Sequence, residues 1–308
     1  MRIIDLPERV EIPNPIVTIG TFDGVHKAHQ TLISWTRSKA SELKGTPVLL
    51  TFHPHPRIVL NSDSQLKLIT TWEEKEFLIR HLGIHYIIRV PFTKEFALLP
   101  PTEYIEQVLV KAIGVKAIIV GYNHRFGYKR QGDVNLLREL GEKYGFEVFE
   151  VPRQMTDSIK ISSTRIREYL SQGDIKRGNA LLGYPFLIMG RVVHGDKRGT
   201  KLGVPTANII PSQKKLLPPN GVYVARAVVD NHYYNAVVNI GRRPTVDGNS
   251  LVVETHLIGQ NLDLYDKTLR IYLLDFIRPE QEFASLEDLK QQILEDIHKA
   301  ERYLRQLG

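Results

Sequence analysis

VTIGTFDGVHKAHQTL, residues 17–32, is the stretch on which the reading of the fold turns. Val17–Ile19 is apolar and β-prone, GTFDG is a glycine-flanked turn carrying an aspartate, and a helical pattern begins near His26. A strand, a tight turn and a helix in that order predict one step of a parallel α/β sheet, with the turn at the carboxyl end of the strand where such sheets bind ligands. His26 and His29, three residues apart, share one helix face there. Three uses are open for them: a zinc pair, a buried structural pair, or a cradle for phosphate. Zinc lacks a third ligand at a recognisable spacing, and the helical metalloprotease pattern needs histidines four apart with a glutamate between them. Phosphate is favoured, because the helix dipole and imidazole donors converge on one anion.

Outward from this stretch the same grammar repeats. PVLLTF precedes WEEKEFLIRHL, HYIIRV precedes PTEYIEQVLVKAI, KAIIVG precedes VNLLRELGEKY, and FEVFEVP comes last. Pro100–Pro101 and Gly145 supply a helix start and stop, and residues 162–182 read as two further helices ending near Gly183. Beyond GYP at 183–185 the pattern changes to β-rich segments with short connections: FLIMGRVVHG, GVYVARAVV, YYNAVVNIG, LVVETHLIG and TLRIYLLDFI. These predict an antiparallel sheet or barrel with a hairpin turn at Asp230–Asn231, followed by one terminal helix from Ser285. The expected domains are residues 1–183 and 184–308.

Composition narrows the functional classes. A chain of 308 residues with 42% hydrophobic content suffices for two cores. The absence of cysteine removes disulfides, thiolate metal sites and cysteine nucleophiles, and fits a cytoplasmic location. The N-terminal segment lacks the apolar core of a signal peptide, and no apolar run approaches a membrane span, so neither secretion nor a membrane partner is expected. A net charge of +7 favours anionic ligands. The basic residues are densest in the glycine-containing loops YKRQGD, GDKRGTK and GRRP. That placement suits small phosphates better than a long polyanion, and nucleic acid is not an expected partner.

GTFDGVHKAH resembles the GxFDxxHxGH signature of the HxGH nucleotidyltransferases, with Ala28 in place of the last glycine. ISSTRIR at 161–167 is similar to the second signature of their flavin branch, and TFHPHP at 51–56 and VGYNHRFGYKRQGD at 120–133 to its inner motifs. Asn123-His124 stand where the family commonly has Asp-Phe. The resemblance, over about residues 15–182, implies a Rossmann-like FMN adenylyltransferase. It implies ATP contacts from Gly20, Phe22, Asp23, Gly24, His26, His29, Ser162, Ser163, Thr164 and Arg165. It implies flavin contacts from His55, Pro56, Asn123, Arg125, Phe126 and Arg130. The attacking phosphate of FMN is already ionised at neutral pH, so this reaction calls for orientation and charge stabilisation rather than a general base. His26 and His29 are the candidates for that work.

GRVVHGDKRGTKLGVPTAN at 190–208 resembles the riboflavin kinase signature, continued by VNIGRRPT, VETHLIG and DLYDKTLRIYLLDFIRPEQEF. This second resemblance covers essentially all of 184–308 and implies a six-stranded antiparallel barrel that moves the γ-phosphate of ATP to riboflavin. The basic glycine-rich loop can wrap phosphates, which points to Gly195, Lys201, Gly203, Pro205, Thr206 and Asn208. Thr206 and Asn208 offer neutral oxygens to Mg2+. Riboflavin presents an alcohol, so a positioned carboxylate is expected, and Glu254 is the choice. Alternation in VVETHL puts Glu254 and His256 on one strand face, opposite Val253, Thr255 and Leu257. Arg278 and Phe283 are expected to flank the flavin ring. The order of motifs is similar to that of the bacterial bifunctional FAD synthetases, which implies riboflavin, FMN and ATP as ligands. Two alternatives are a kinase with an impaired or redirected adenylyltransferase domain, and a non-catalytic flavin- or RNA-binding protein.

Overall fold

A computed structural model of the chain describes residues 1–6, 10–60, 66–153, 155–156, 159–195, 199, 203–245 and 248–307. The chain divides into two compact units, Met1–Lys67 with Lys75–Ile161, and Leu68–Glu74 with Ser162–Gly308.

The first unit is built on six strands: β1 (Arg2–Asp5), β2 (Pro15–Ile19), β3 (Thr46–His53), β4 (Tyr86–Pro91), β5 (Ala117–Gly121) and β6 (Glu147–Val151). They pair in the order β1-β4-β3-β2-β5-β6, every pair parallel. In the centre Val17 lies opposite Val48 on one side and Ile118 on the other. All five residues of β2 are buried, as a parallel strand covered on both faces requires. The strand sequence runs outward from β2 through β3 to β4, then returns to β5 on the other side of β2. That reversal is the switch point at which open α/β sheets form a ligand crevice.

Helix α1 (Lys27–Glu42) buries Ile33, Thr36 and Ala40, a stripe at helical spacing. Short α2 (Pro56–Leu60) and α3 (Trp72–His81) follow β3. After β4 comes α4 (Pro101–Glu103), opened by Pro101 and running on into a π-helical segment, Tyr104–Ile113, that ends at left-handed Gly114. Helix α5 (Val134–Tyr144) is capped by the Asp133 carboxylate and stops at left-handed Gly145. A two-stranded antiparallel pair, β7 (Met155–Thr156) and β8 (Ile159–Lys160), completes this unit. The sequence reading missed edge strand β1 and the π winding.

In the second unit, α6 (Ser163–Ser171) and α7 (Ile175–Leu182) precede a closed barrel. Its strands are β9 (Phe186–Val193), β10 (Ala207–Ile209), β11 (Gly221–Val229), β12 (His232–Thr245), β13 (Gly248–Leu257) and β14 (Thr268–Pro279). They close in the order β10-β13-β12-β11-β14-β9 with antiparallel pairing throughout. Asp230 and Asn231 both take positive φ, 48° and 63°, the two-residue turn that matches the twist of a hairpin. Strand β11 is buried on both faces. Tyr223, Ala225 and Ala227 make up one, while Val222 and Val224 pack with Ala300 and Leu304 of the C-terminal helix α8 (Leu286–Gln306).

Helices α6 and α7, which the sequence reading grouped with the first domain, lie in the second compact unit. The Asn179 side chain of α7 donates to the Leu273 carbonyl of β14 and accepts from the Phe186 N–H at the start of β9. Segment Leu68–Glu74 also belongs there. It bonds to Lys214–Leu216 through its backbone, and Glu74 meets Lys215 in an ion pair buried to within 1%. Among the described residues no helix is long and apolar enough to cross a membrane.

Candidate active sites

The turn from Gly20 to Val25 leaves the carboxyl end of β2 at the switch point. Gly20 donates to the Leu50 carbonyl at 3.1 Å, and a Cβ there would press on the Phe22 ring at 3.2 Å. Phe22, Gly24 and Val25 all take positive φ, and Phe22, Asp23 and His26 are buried. His26 is the N-cap of α1 with extended backbone, and its side chain makes no capping bond. Ala28, the second residue of α1, is helical.

The imidazoles of His26 and His29 stack with ring centroids 3.6 Å apart and planes 13° from parallel, with Phe22 against His29 at 5.0 Å. Rings stacked this way point their in-plane lone pairs side by side, a poor arrangement for one tetrahedral zinc. Burial, with lesser contributions from the charges of His26 and Lys75, holds the His29 proton affinity well below the usual histidine range, so its ring is neutral at pH 7. His29 Nδ1 is buried with no hydrogen-bond partner among the described residues. A stacked pair in which His29 is neutral, with a buried polar edge beside a helix N-terminus, is equipped to meet an anion.

Around the same crevice, an aromatic wall joins the ends of three strands. Phe52 at the end of β3 meets Phe92 beyond β4 at 5.7 Å, Phe92 meets Phe96 at 5.6 Å, Phe96 meets Tyr104 at 6.0 Å, and Tyr104 meets Phe126 beyond β5 at 5.6 Å. His124 stacks on Phe126 at 5.7 Å. Burial pulls His124 down to about 4, aided by the charge of Arg130, so its ring is neutral too. His124 Nε2 and the Tyr104 hydroxyl are buried without a hydrogen-bond partner among the described residues. Apolar walls with a few unsatisfied polar atoms are what a planar aromatic ligand needs.

The expected flavin residues divide in this setting. Phe126 belongs to the wall, its backbone paired both ways with Gly132. Asn123 and Arg130 are exposed beside it. Arg125 is tied at 3.1 Å to Asp133, the cap of α5. His55 Nδ1 accepts the Arg57 N–H at 3.2 Å, and Pro56 opens α2. Sequence reasoning missed Phe92, Phe96 and Tyr104. The signal was there in aromatic residues recurring just past strand ends.

In the second unit Ser162 caps α6, its hydroxyl accepting the Arg165 N–H at 3.3 Å. Ser163 and Thr164 form the first turn, and the exposed Arg165 pairs with Glu168 at 2.9 Å.

On the barrel, register assembles the second constellation. Asn208 on β10 lies directly opposite Glu254 on β13, and Glu254 lies opposite Asn239 on β12. Cross-strand neighbours of this kind have Cβ atoms about 5 Å apart. Val253, Thr255 and Leu257 are buried while Glu254 and His256 are half-buried, the alternation expected from VVETHL. Asn208 is 6% exposed, and its Oδ1 has no hydrogen-bond partner among the described residues. Gly195 lies so close that a Cβ would sit 2.3 Å from the Asn208 amide nitrogen.

Thr206 is exposed two residues before Asn208, and Gly203 takes φ 80°. Lys201 lies outside the described residues. His256 Nδ1 donates to the Pro205 carbonyl at 2.9 Å and so holds the PTAN turn, a contact that sequence reasoning missed. Arg278 and Phe283 come together, guanidinium over ring at 5.8 Å. Arg278 is also fixed by a bidentate bond to Asp296 of α8, at 2.8–3.1 Å.

A buried amide oxygen left unsatisfied against Gly195, two residues beyond a threonine, fits Mg2+, a hard cation that prefers oxygen. Among the described residues no three His, Asp or Glu side chains gather as a metal cluster.

A Rossmann-like unit with a histidine turn at its switch point and a closed six-stranded barrel with a buried amide opposite a half-buried carboxylate define a two-unit transferase fold. The sequence matches the family model for FAD synthetase over residues 9–165 and that for riboflavin kinase over 182–304. It is 36% identical over 282 residues to the bifunctional riboflavin kinase/FMN adenylyltransferase of Escherichia coli K12, covering 91% of this chain and 90% of that one. It is also 36% identical to the Bacillus subtilis protein of the same name, over 95% of this chain and 93% of that one. A solved Streptococcus pneumoniae structure described as a macrolide-efflux protein superimposes with a TM-score of 0.85 at 30% identity, over 97% of this chain and 98% of that one. The chain belongs to the family of bifunctional riboflavin kinase/FMN adenylyltransferases.

Proposed function

We infer that the chain makes FAD from riboflavin in two steps that each consume ATP. Riboflavin and ATP give FMN and ADP on the barrel, and FMN and a second ATP give FAD and pyrophosphate at the parallel sheet. We assign the first reaction to residues 184–308 and the second to 1–183, in a cytoplasmic enzyme. The observation that carries this reading is the register that sets Glu254 opposite Asn208, with the Asn208 amide oxygen buried and unsatisfied.

In the kinase reaction Glu254 takes the proton of the riboflavin hydroxyl as the new P–O bond forms. The loop with Gly195, Lys201, Gly203 and Pro205 wraps the phosphates of ATP. Thr206 and Asn208 would hold Mg2+, which would neutralise charge on those phosphates. Arg278, fixed by Asp296, and Phe283 flank the isoalloxazine ring.

In the adenylyl transfer the FMN phosphate attacks the α-phosphate of ATP. His26 and His29 stabilise the charge that gathers there, with Gly20, Phe22, Asp23 and Gly24 shaping the turn. Ser162, Ser163, Thr164 and Arg165 receive the leaving pyrophosphate, an assignment that rests on the resemblance of ISSTRIR. His55, Pro56, Asn123, Arg125, Phe126 and Arg130 border the flavin.

Purified protein incubated with riboflavin, ATP and Mg2+ tests this reading, with riboflavin, FMN and FAD resolved over time. Glu254→Gln is expected to remove most FMN formation while leaving FAD formation from supplied FMN, and His29→Ala to do the reverse. FMN without FAD from the unaltered protein would select an impaired adenylyltransferase. Loss of both activities in either folded variant would reject one reaction per domain.

A further inference from the structure

Lys75 lies in the WEEKEFLIRHL helix, α3, and is only 8% exposed. Its ammonium donates to the Thr21 carbonyl at 2.7 Å, and the same oxygen accepts the Thr51 hydroxyl at 3.2 Å. Thr21 opens the turn that leads to the histidine pair. Within that turn Phe22 and Val25 take φ of 49° and 37°, and Gly24 takes 85°. For residues with a Cβ such a backbone is strained and persists when its surroundings over-determine it. At the far end the Gln30 side chain donates to the Val25 carbonyl at 2.9 Å. At the near end Lys75 and Thr51 hold Thr21.

A hydroxyl would satisfy a carbonyl at less cost than a buried ammonium. What the ammonium adds is charge. Asp23 in the same turn is 1% exposed and attracts Lys75, and the Lys75 charge in turn depresses protonation of His29. Asp23 from the turn acts on Lys75, and Lys75 acts together with His26, the N-cap of α1, on His29.

We propose that Lys75 is a positioning residue for adenylyl transfer, its ammonium locking the turn from Thr21 to Val25 so that His26 and His29 meet the phosphates of ATP. The proposal rests on the reading of the histidine pair as a phosphate cradle. Burial draws Lys75 down to about 8 against the attraction of Asp23. It is charged below that pH and loses its charge above it. The value of kcat/KM for ATP reports groups of the free enzyme, so in FAD formation it should fall as pH rises through about 8.

The test measures FAD formation from supplied FMN across pH 6.5–9.5 for the unaltered chain, Lys75→Met and Lys75→Arg, with riboflavin phosphorylation and thermal melting as controls. Lys75→Met should lower kcat/KM for ATP roughly 10- to 100-fold at pH 7, the scale of a small misplacement of reacting groups. Riboflavin phosphorylation should stay unchanged. Lys75→Arg, charged throughout, should keep most of the activity and move the alkaline decline above pH 9. The proposal is overturned if folded Lys75→Met makes FAD normally, or if Lys75→Arg keeps a decline centred near 8. Should Lys75→Met not fold, the pH profile of Lys75→Arg decides alone. Normal FAD formation by His29→Ala would instead remove the cradle on which the proposal stands.

Discussion

Replacing Lys215 with methionine tests how the barrel unit is held together. The Lys215 ammonium uses all three of its protons, on the Ile69 carbonyl at 2.7 Å, the Leu187 carbonyl at 2.6 Å and Glu74 Oε2 at 2.6 Å. Glu74 in turn accepts the N–H groups of Thr71 and Met189, each at 2.9 Å. With the two side chains 1% and 0% exposed, methionine leaves a carboxylate buried without its counter-charge. Breaking such a pair on one side costs about 3–5 kcal/mol. For a domain of this size that corresponds to a melting point lower by about 6–20 °C. Glu74→Gln combined with Lys215→Met removes both charges and should recover at least about 2 kcal/mol relative to the sum of the single changes.

The pH dependence carries a sign. Burial already raises Glu74 above its ordinary value of 4.5, with Lys215 opposing, so loss of Lys215 raises it further. The folded variant then binds a proton that the unfolded chain releases above about 4.5, and its stability falls as pH rises. The deficit relative to the unaltered chain should be larger at pH 8 than at pH 5. Calorimetric melting of the three variants at both pH values measures this, with loss of riboflavin phosphorylation marking the barrel transition. A deficit under about 1 kcal/mol at pH 8, or one that does not shrink at pH 5, would refute the argument.

Two further outcomes are expected. Asn208→Ala should raise the Mg2+ concentration needed for half-maximal riboflavin phosphorylation several-fold and leave FAD formation from FMN unchanged, as titration of each reaction with Mg2+ would reveal; an unchanged requirement would remove Asn208 from the metal site. Ala28→Gly should cost α1 up to about 1 kcal/mol, because glycine is the poorer helix former, yet lower the KM for ATP in FAD formation by taking a Cβ away from the nucleotide. Steady-state kinetics and melting of that variant separate the two effects.

Local pattern was enough for the elements that satisfy themselves locally. PIVTI carries no charge because both of its faces are covered, Asp230–Asn231 is a turn because both residues tolerate positive φ, and Ser162 caps the helix it precedes. Glu254 could be placed on a strand face by alternation alone, and register then supplied Asn208 and Asn239 as its neighbours. Legibility failed where a residue's meaning lies in a distant partner. Glu74 and Lys75 sit side by side in WEEKEF, indistinguishable from solvated helix charges. One is nonetheless committed to Lys215, 141 residues on, and the other to Thr21, 54 residues back.

Asp296 shows where such a residue can still be caught. In α8 the buried stripe runs Asp296, Ala300, Leu304, a carboxylate standing at a position where helical spacing calls for an apolar side chain. A charge on the buried face of an amphipathic helix needs a partner. Here the partner is Arg278, and the bidentate bond fixes the guanidinium that lies over Phe283. Lys75 offered no such mark, because its helix is too short and too polar for the buried stripe to stand out. It follows that the charges worth testing first in chains of this kind are those that interrupt a long apolar stripe, while those in short polar helices emerge once the strand ends they approach are known.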